Sequence, residues 1–460
     1  MSSSPYRNLY GEENENKRYN QMDLCKASTD GNKMAMNNKF MALIWNYDKG
    51  GIAIFDPNEY TYGKTSQKLL KGHKGRIFDI KFSPFYTDLL ASASEDGSVK
   101  LWKIPEEGLK EHITEDVQMY TGHKRKVCLV SFHPYTDNVI ASSSVDYTIQ
   151  VWNMIKSEPY ATCKIEGSPS SLEWNEDGSL VGTADSAKKV TIFDPRANKV
   201  IASHQVIEGR NAKFVWTGTE TFTSFGLNKK NERELKLFDL RKLDNNELCK
   251  VKIDNQVGVL NYFYDHESKL LYLIGKGEVG INVFDFNEPT PERCLDLMTV
   301  NGTSCFCMMD RRYVNYNKNE VDKMARWSAK NEINYVSFTV MRRDEIYEPS
   351  LFPHLMGYES SMTNEEWFKG GNKEQIRKEI IEFKKTDFIK RENNFVKMEA
   401  KKAELSPAEK FKKLENKLIE LEYAIQKQEG INMNIEKLIQ DEEKEVERLE
   451  QRLKEVLAEI

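Results

Sequence analysis

The chain has 460 residues, and at about 150 residues per domain that length excludes a single small module and allows two or three domains. Its apolar fraction, glycine included and tyrosine left out, is about 40%, below the roughly 45–50% of globular chains, so part of the chain has little core to bury. Charged residues reach 30%, but 67 basic against 72 acidic side chains leave a net charge of only −5, which excludes a global field favouring nucleic acid or an anionic membrane and confines any basic site to a local patch.

The opening Ser2-Ser3-Ser4-Pro5 carries no basic stretch followed by an apolar run, and nothing in the chain approaches the ~18 apolar residues of a bilayer span, so a soluble, non-secreted protein is expected. Gly63-Lys64-Thr65 resembles the end of a phosphate loop, but the first glycine of that motif would stand at position 58, where Asn58 is found. It reads as a loop between structural units. Next comes an internal repeat. Gly72-His73 through Asp96 to Leu101-Trp102 matches Gly122-His123 through Asp146 to Val151-Trp152, with 23 residues from His to Asp and 6 from Asp to Trp in both copies. Between those anchors lie Ile77–Phe82, Leu89–Ser94 and Ser98–Trp102, short β-prone runs bounded by Pro, Gly or Asp. That is one four-stranded propeller blade of the WD-repeat kind. His73, Asp96 and Ser92 or Ser94 could be mistaken for a hydrolytic triad, but their spacing is that of the hydrogen-bonded set that knits a blade together.

Looser copies of the closing strand keep the beat at Ile54-Phe55-Asp56, Ile192-Phe193-Asp194, Leu237-Phe238-Asp239, Val283-Phe284-Asp285 and Arg326-Trp327. With the two tryptophans included, the aromatic-to-aromatic intervals are 47, 50, 41, 45, 46 and 43 residues, which join seven blades. A ring must close, so residues ahead of the first blade supply a strand to the last, with Tyr6–Tyr10 as the candidate. Gly275-Lys276-Gly277 reads as a turn between strands. Cys305-Phe306-Cys307 has strand alternation, and seven scattered cysteines with seven histidines at no ligand-like spacing read as reduced thiols with no metal site. The expected fold is thus an all-β, seven-bladed propeller over residues 1–345. The prolines of Glu348–Pro353 end the strand rhythm, and Glu365-Glu366-Trp367-Phe368 carries too much aromatic surface for a free linker, so 346–375 is expected to pack on the propeller.

Residues 376–405 read as a charged linker. Nine Lys or Arg against five Asp or Glu between Ile376 and Lys402, interleaved with Phe383, Phe388 and Phe395, also suit a weak contact with a filament or an anionic lipid surface. Ser406-Pro407-Ala408-Glu409 then starts a helix over 406–460, with an N-cap serine and proline at the first position. Its a positions are Phe411, Leu418, Ile425, Asn432, Ile439, Val446, Leu453 and Ile460, and its d positions Leu414, Leu421, Gln428, Ile435, Glu442, Leu449 and Val456; twelve of these fifteen are apolar and the register never slips. Such a seam predicts a coiled coil and self-association, with Asn432 as a polar pin and Lys417 to Glu422 able to pair between parallel chains.

A propeller, a linker and a C-terminal coiled coil in this length resemble the short coronins. Gly122–Val127, Ile104–Leu109, Phe193–Arg196, Glu232–Leu235, Phe263–Asp265, Gly275–Gly277 and Glu365–Phe368 are similar to coronin segments, in the same order. The resemblance implies a cytoplasmic protein of the actin cytoskeleton and cell cortex, without catalysis or cofactor. It would bind the sides of filamentous actin through the propeller, cross-link filaments by oligomerising, and in many relatives restrain the branched-actin nucleating complex. The family's basic filament-binding residue aligns with Asp23, leaving Lys26 as the nearest substitute. The repeat after the two clear ones reads Gly167-Ser168 in place of Gly-His, and Lys417–Glu422 resembles the family's trimerisation motif with Lys for Arg, which forgoes the planar fork. Because filamentous actin is acidic, Lys71, Lys74, Arg76, Lys124, Arg125 and Lys126, in two equivalent loops, are the expected contacts; Lys26, Arg233 and Lys276 complete the set. The competing reading is a dimerised scaffold or substrate receptor for another protein.

Overall fold

The computed structural model describes residues 4–383 apart from Ser28, Asp48, 59–66, 157–158, Asn246 and 343–346. They belong to the first of two compact units, Met1–Arg391. Gly63-Lys64-Thr65, the linker beyond Phe383 and the whole heptad series from Phe411 lie outside the described residues.

Short β-prone runs separated by tight turns can satisfy their backbone only by pairing with their sequence neighbours, and they do so as antiparallel meanders. Blade 1 is Met34–Met36, Met41–Trp45, Gly51–Phe55 and Leu69–Lys71. Blade 2 is Ile77–Phe82, Leu89–Ser94, Ser98–Lys103 and Gln118–Thr121. Val127–Phe132, Val139–Ser144, Thr148–Asn153 and Pro159–Lys164 make blade 3, and Pro169–Trp174, Val181–Asp185, Lys189–Asp194 and Lys199–Gln205 make blade 4. Blade 5 comprises Lys213–Trp216, Thr221–Leu227, Arg233–Asp239 and Cys249–Asp254.

The last sheet has seven strands, because the long strand Glu292–Met308 serves two blades. Its first part, to Met298, is the outer strand of blade 6 against Glu278–Asp285, and its second, from Thr303, is the inner strand of blade 7 against Glu320–Ser328. Ile333–Val340 continues blade 7, and the N-terminal strand Leu9–Tyr19 closes the ring by pairing with it, from Leu9 opposite Val340 to Tyr19 opposite Ile333. The closing strand therefore starts three residues beyond Tyr6 and runs well past the expected Tyr10; residues 5–8 form a turn. A second correction concerns the aromatic-ended runs. Six of them are the third strand of their blade, and a fourth, outer strand follows, as Lys199–Gln205 follows Lys189–Asp194; Arg326-Trp327 instead lies on the second strand of blade 7, between the inner strand from Thr303 and Ile333–Val340.

The first strands of all seven blades line a central channel of about 420 Å³. In an up-and-down meander the first-to-second and third-to-fourth connections open on one face. The second-to-third connections and those between blades open on the other. The C-terminal segment takes the first of these faces. Leu351, Phe352, Leu355 and Ile380 join the apolar core of blades 6 and 7, while Met362 and Trp367 join that of blades 3 and 4. Thr363 caps the short helix Asn364–Phe368, its hydroxyl accepting from Glu366 N–H at 3.3 Å while the Glu366 carboxylate accepts from Thr363 N–H. Packing does not stop at the expected start of the linker. Arg377–Lys378 pairs with Leu355–Met356, Ile380 is fully buried, and Phe383 packs on the same cluster.

Candidate basic interaction face

The residues that look most catalytic hold blade 2 together. Trp102 Nε1 donates to Ser92 Oγ at 2.8 Å, Ser92 Oγ lies 2.7 Å from His73 Nε2, and His73 Nδ1 lies 2.9 Å from Asp96 Oδ2. Blade 3 repeats the chain through Trp152, Ser142, His123 and Asp146. The distances suit a hydrolytic triad, but Ser92 and Ser142 are completely buried and each hydroxyl is held by an indole N–H, so no substrate can reach them. Burial pushes the Asp96 carboxyl up; the bonds from His73, Ser98 and Lys74 N–H outweigh it and hold the group well below the usual carboxylate range. In blade 4 the Gly-His is absent and backbone amides take over, Gly167 N–H donating to Asp185 and Ser168 N–H to Ser186 Oγ.

These same bonds shape the loops that carry the basic residues. Lys74 N–H donates to Asp96 Oδ2 at 2.9 Å and Lys124 N–H to Asp146 Oδ2 at 2.8 Å, so each blade-to-blade loop is pinned to the aspartate of its own blade. The two loops abut through the tight turn of blade 2. Gly97 has φ +81°, and a Cβ there would stand 3.3 Å from the Arg125 carbonyl.

Lys74, Arg76, Lys124 and Arg125 are exposed. Lys126 is half-buried, its ammonium 5.0 Å from the centre of the Phe78 ring, and Lys71 is half-buried with its ammonium 4.6 Å from that of Tyr47. Lys26 is exposed in the connection entering blade 1, near Leu24, which bridges to Trp45. Asp23 is exposed as well and accepts from Asn46 Nδ2 at 3.2 Å. Lys276 is half-buried in the turn before Gly277. All of these sit on second-to-third or blade-to-blade connections or beside them, and so on the face opposite the C-terminal segment.

Arg233 departs from the expected set. Its side chain is 1% exposed, and its guanidinium pairs with Glu278 at 2.6 Å and Asp254 at 3.2 Å and donates to the Gly258 carbonyl at 2.7 Å. It ties blade 5 to blade 6 and has no donor to offer a partner. The sequence reading also missed Lys213, buried at the channel, which pairs with Asp30 at 2.8 Å and donates to the Ser170 carbonyl. No local spacing links positions 30 and 213, so only the closed ring reveals this pair.

Models of the WD domain, G-beta repeat, match residues 64–103 and 114–153, a type of WD40 repeat matches 333–375, and a domain of unknown function matches 1–62. Coronin-A of Dictyostelium discoideum is 35% identical over 383 residues, covering 81% of this chain and 84% of its own. The chain belongs to the coronin family. Human coronin-2B is 35% identical over 393 residues, covering 81% of this chain and 79% of its own. The solved WD40 domain of Toxoplasma gondii coronin superposes with a TM-score of 0.78 at 29% identity, over 81% of this chain and 97% of that one. The WD40-type match runs on through residue 375, past Ile333–Val340 and into the segment that packs on the propeller.

Proposed function

We propose that this coronin binds the sides of actin filaments through the face bearing the two basic loops, and that its C-terminal heptads join chains so that bound filaments are cross-linked. The observation that carries the reading is the exposure of Lys74, Arg76, Lys124 and Arg125 on adjacent, abutting loops, while the C-terminal segment packs on the opposite face, at blades 3, 4, 6 and 7. Filamentous actin is acidic, so such a patch steers encounter and is sensitive to salt. Lys26, Lys71, Lys126 and Lys276 border the patch; Arg233 is not part of it. A place in the cytoplasmic cortical cytoskeleton follows from this reading. The branched-actin nucleating complex as a second partner, and weak anionic-lipid contact by residues beyond Phe383, rest on family membership and on composition.

The test is sedimentation with filaments of the full chain and of a chain truncated after Arg391, which keeps every described residue and loses every seam position. The truncated chain is expected to be monomeric by light scattering, to bind filaments more weakly through lost avidity, and to form no bundles. A truncated chain that stays oligomeric and bundles filaments would place association in the propeller.

A further inference from the structure

The connection between the third and fourth strands of blade 2 climbs the outer edge of blade 1. Leu70 and Ile113 form a parallel bridge, with Lys71 N–H donating to the Ile113 carbonyl at 2.7 Å and Ile113 N–H to the Leu69 carbonyl at 3.1 Å. This path brings His112 against the strand, where its Nδ1 accepts from Leu69 N–H at 3.1 Å. An imidazole whose Nδ1 accepts carries its proton on Nε2. That Nε2–H lies 3.4 Å from the ammonium of Lys71, a group with donors only, so the two cannot bond to each other. The ammonium is held in place by the Tyr47 ring beneath it, and among the described residues no carboxylate pairs with it. Two donors therefore converge on one spot to which no described residue brings a carboxylate, beside the loop that presents Lys74.

We propose that Lys71 and His112 form a docking point for a carboxylate, supplied by an acidic side chain of the filament bound at the basic face. Its oxygens would sit about 2.8 Å from each donor. The site rests on the filament-binding reading and adds a directional, two-donor contact to a patch whose other members act as exposed charges. Sequence offers no sign of it, since His112 stands in a connection outside the repeat pattern.

Sedimentation of the full chain with filaments tests the site through His112→Asn, His112→Gln and Lys71→Met. Asparagine keeps an acceptor at the Nδ1 position for Leu69 N–H and removes the Nε2 donor; glutamine keeps a donor near Nε2. His112→Asn and Lys71→Met are each expected to lower affinity roughly tenfold, with glutamine recovering most of the loss. The His112→Asn/Lys71→Met double variant should be little weaker than either single one, because both residues serve one carboxylate. Thermal unfolding checks that each variant is folded. Wild-type binding that survives His112→Asn, or losses that add in full, would overturn this site and leave the broader reading intact. Failure of the wild-type chain to bind filaments would overturn the reading and the site together.

Discussion

Replacing Trp367 by alanine should release the C-terminal segment from the propeller while leaving the blades folded. The indole is fully buried between His133, at 4.9 Å between ring centroids, and Trp174, at 5.7 Å, with the Arg196 guanidinium 5.6 Å from its ring. An aromatic side chain of this size buries about 200 Å², which at about 25 cal/mol per Å² gives an upper figure near 5 kcal/mol. Nε1 donates to the Gly178 carbonyl at 3.2 Å, but that oxygen also accepts from His133 Nε2 at 2.7 Å, so the substitution leaves no orphaned acceptor and adds no further penalty. A cost of about 4 kcal/mol remains, a factor approaching 10³ in the undocking equilibrium. Burial pushes His133 down to about 3, so the site stays neutral and the effect should not change between pH 5 and 8. Amide hydrogen exchange reads the result directly. Trp367 N–H and Lys369 N–H, bonded to Thr363 and Glu365, should exchange far faster in the variant, while amides of the blade 2 strands keep their protection. Unchanged protection at 367–369 would refute the docking argument, and equal acceleration throughout the blades would show that the segment opens only when the propeller unfolds.

Acid should weaken blades 2 and 3 first. Asp96 and Asp146 sit below their ordinary value of 3.8 in the folded chain, so their stabilisation is full above that value and is lost as the pH falls towards the lower folded value; Asp96→Asn should flatten this arm of an acid-denaturation curve. Asp322 acts in the opposite sense. Burial and the charge of Asp265 push it up to about 7, so between 3.8 and 7 the folded chain keeps a proton that the unfolded chain gives up, and stability drops across that window. Asp322→Asn, which still accepts from Tyr272, should therefore raise the denaturation midpoint at pH 8 relative to wild type and gain little at pH 4. Arg233→Met should cost about 2–3 kcal/mol in urea unfolding, below the usual price of breaking a buried pair because Asp254 and Glu278 are 25% and 28% exposed, and should leave filament affinity unchanged.

The repeat was legible because its signals are short-range. A histidine 23 residues before an aspartate and an aromatic 6 beyond it are the parts of one blade, and their bonds form in the structure as that spacing requires. Outer strands gave little signal because one side of them faces water, and Lys199–Gln205 has no buried residue to show alternation. The closing strand was expected at Tyr6–Tyr10, and its extension to Tyr19 was hidden for a related reason. Its Gly11–Asn14 stretch reads as polar loop, yet it pairs because blade 7 presents an unfilled edge that only ring closure supplies. Arg233 was misread because charge near a turn looks like a surface site until Asp254 and Glu278 are brought to it from 21 and 45 residues away. At the C-terminus the charge of Arg377, Lys378 and Glu379 masked the single fully buried side chain, Ile380, that anchors them.

The central claim is that the basic loops form the filament-binding face, and charge reversal there tests it most directly. Lys74, Arg76, Lys124 and Arg125 are exposed, so changing all four to glutamate should leave thermal unfolding near that of wild type. Lys126 is left in place because it packs on Phe78. With each reversal removing an attraction and adding a repulsion, affinity in a filament sedimentation assay is expected to fall by roughly 100-fold at low ionic strength, and wild-type binding itself to weaken as salt rises. A folded fourfold variant that sediments with filaments as wild type does would contradict the account and move the contact to another face.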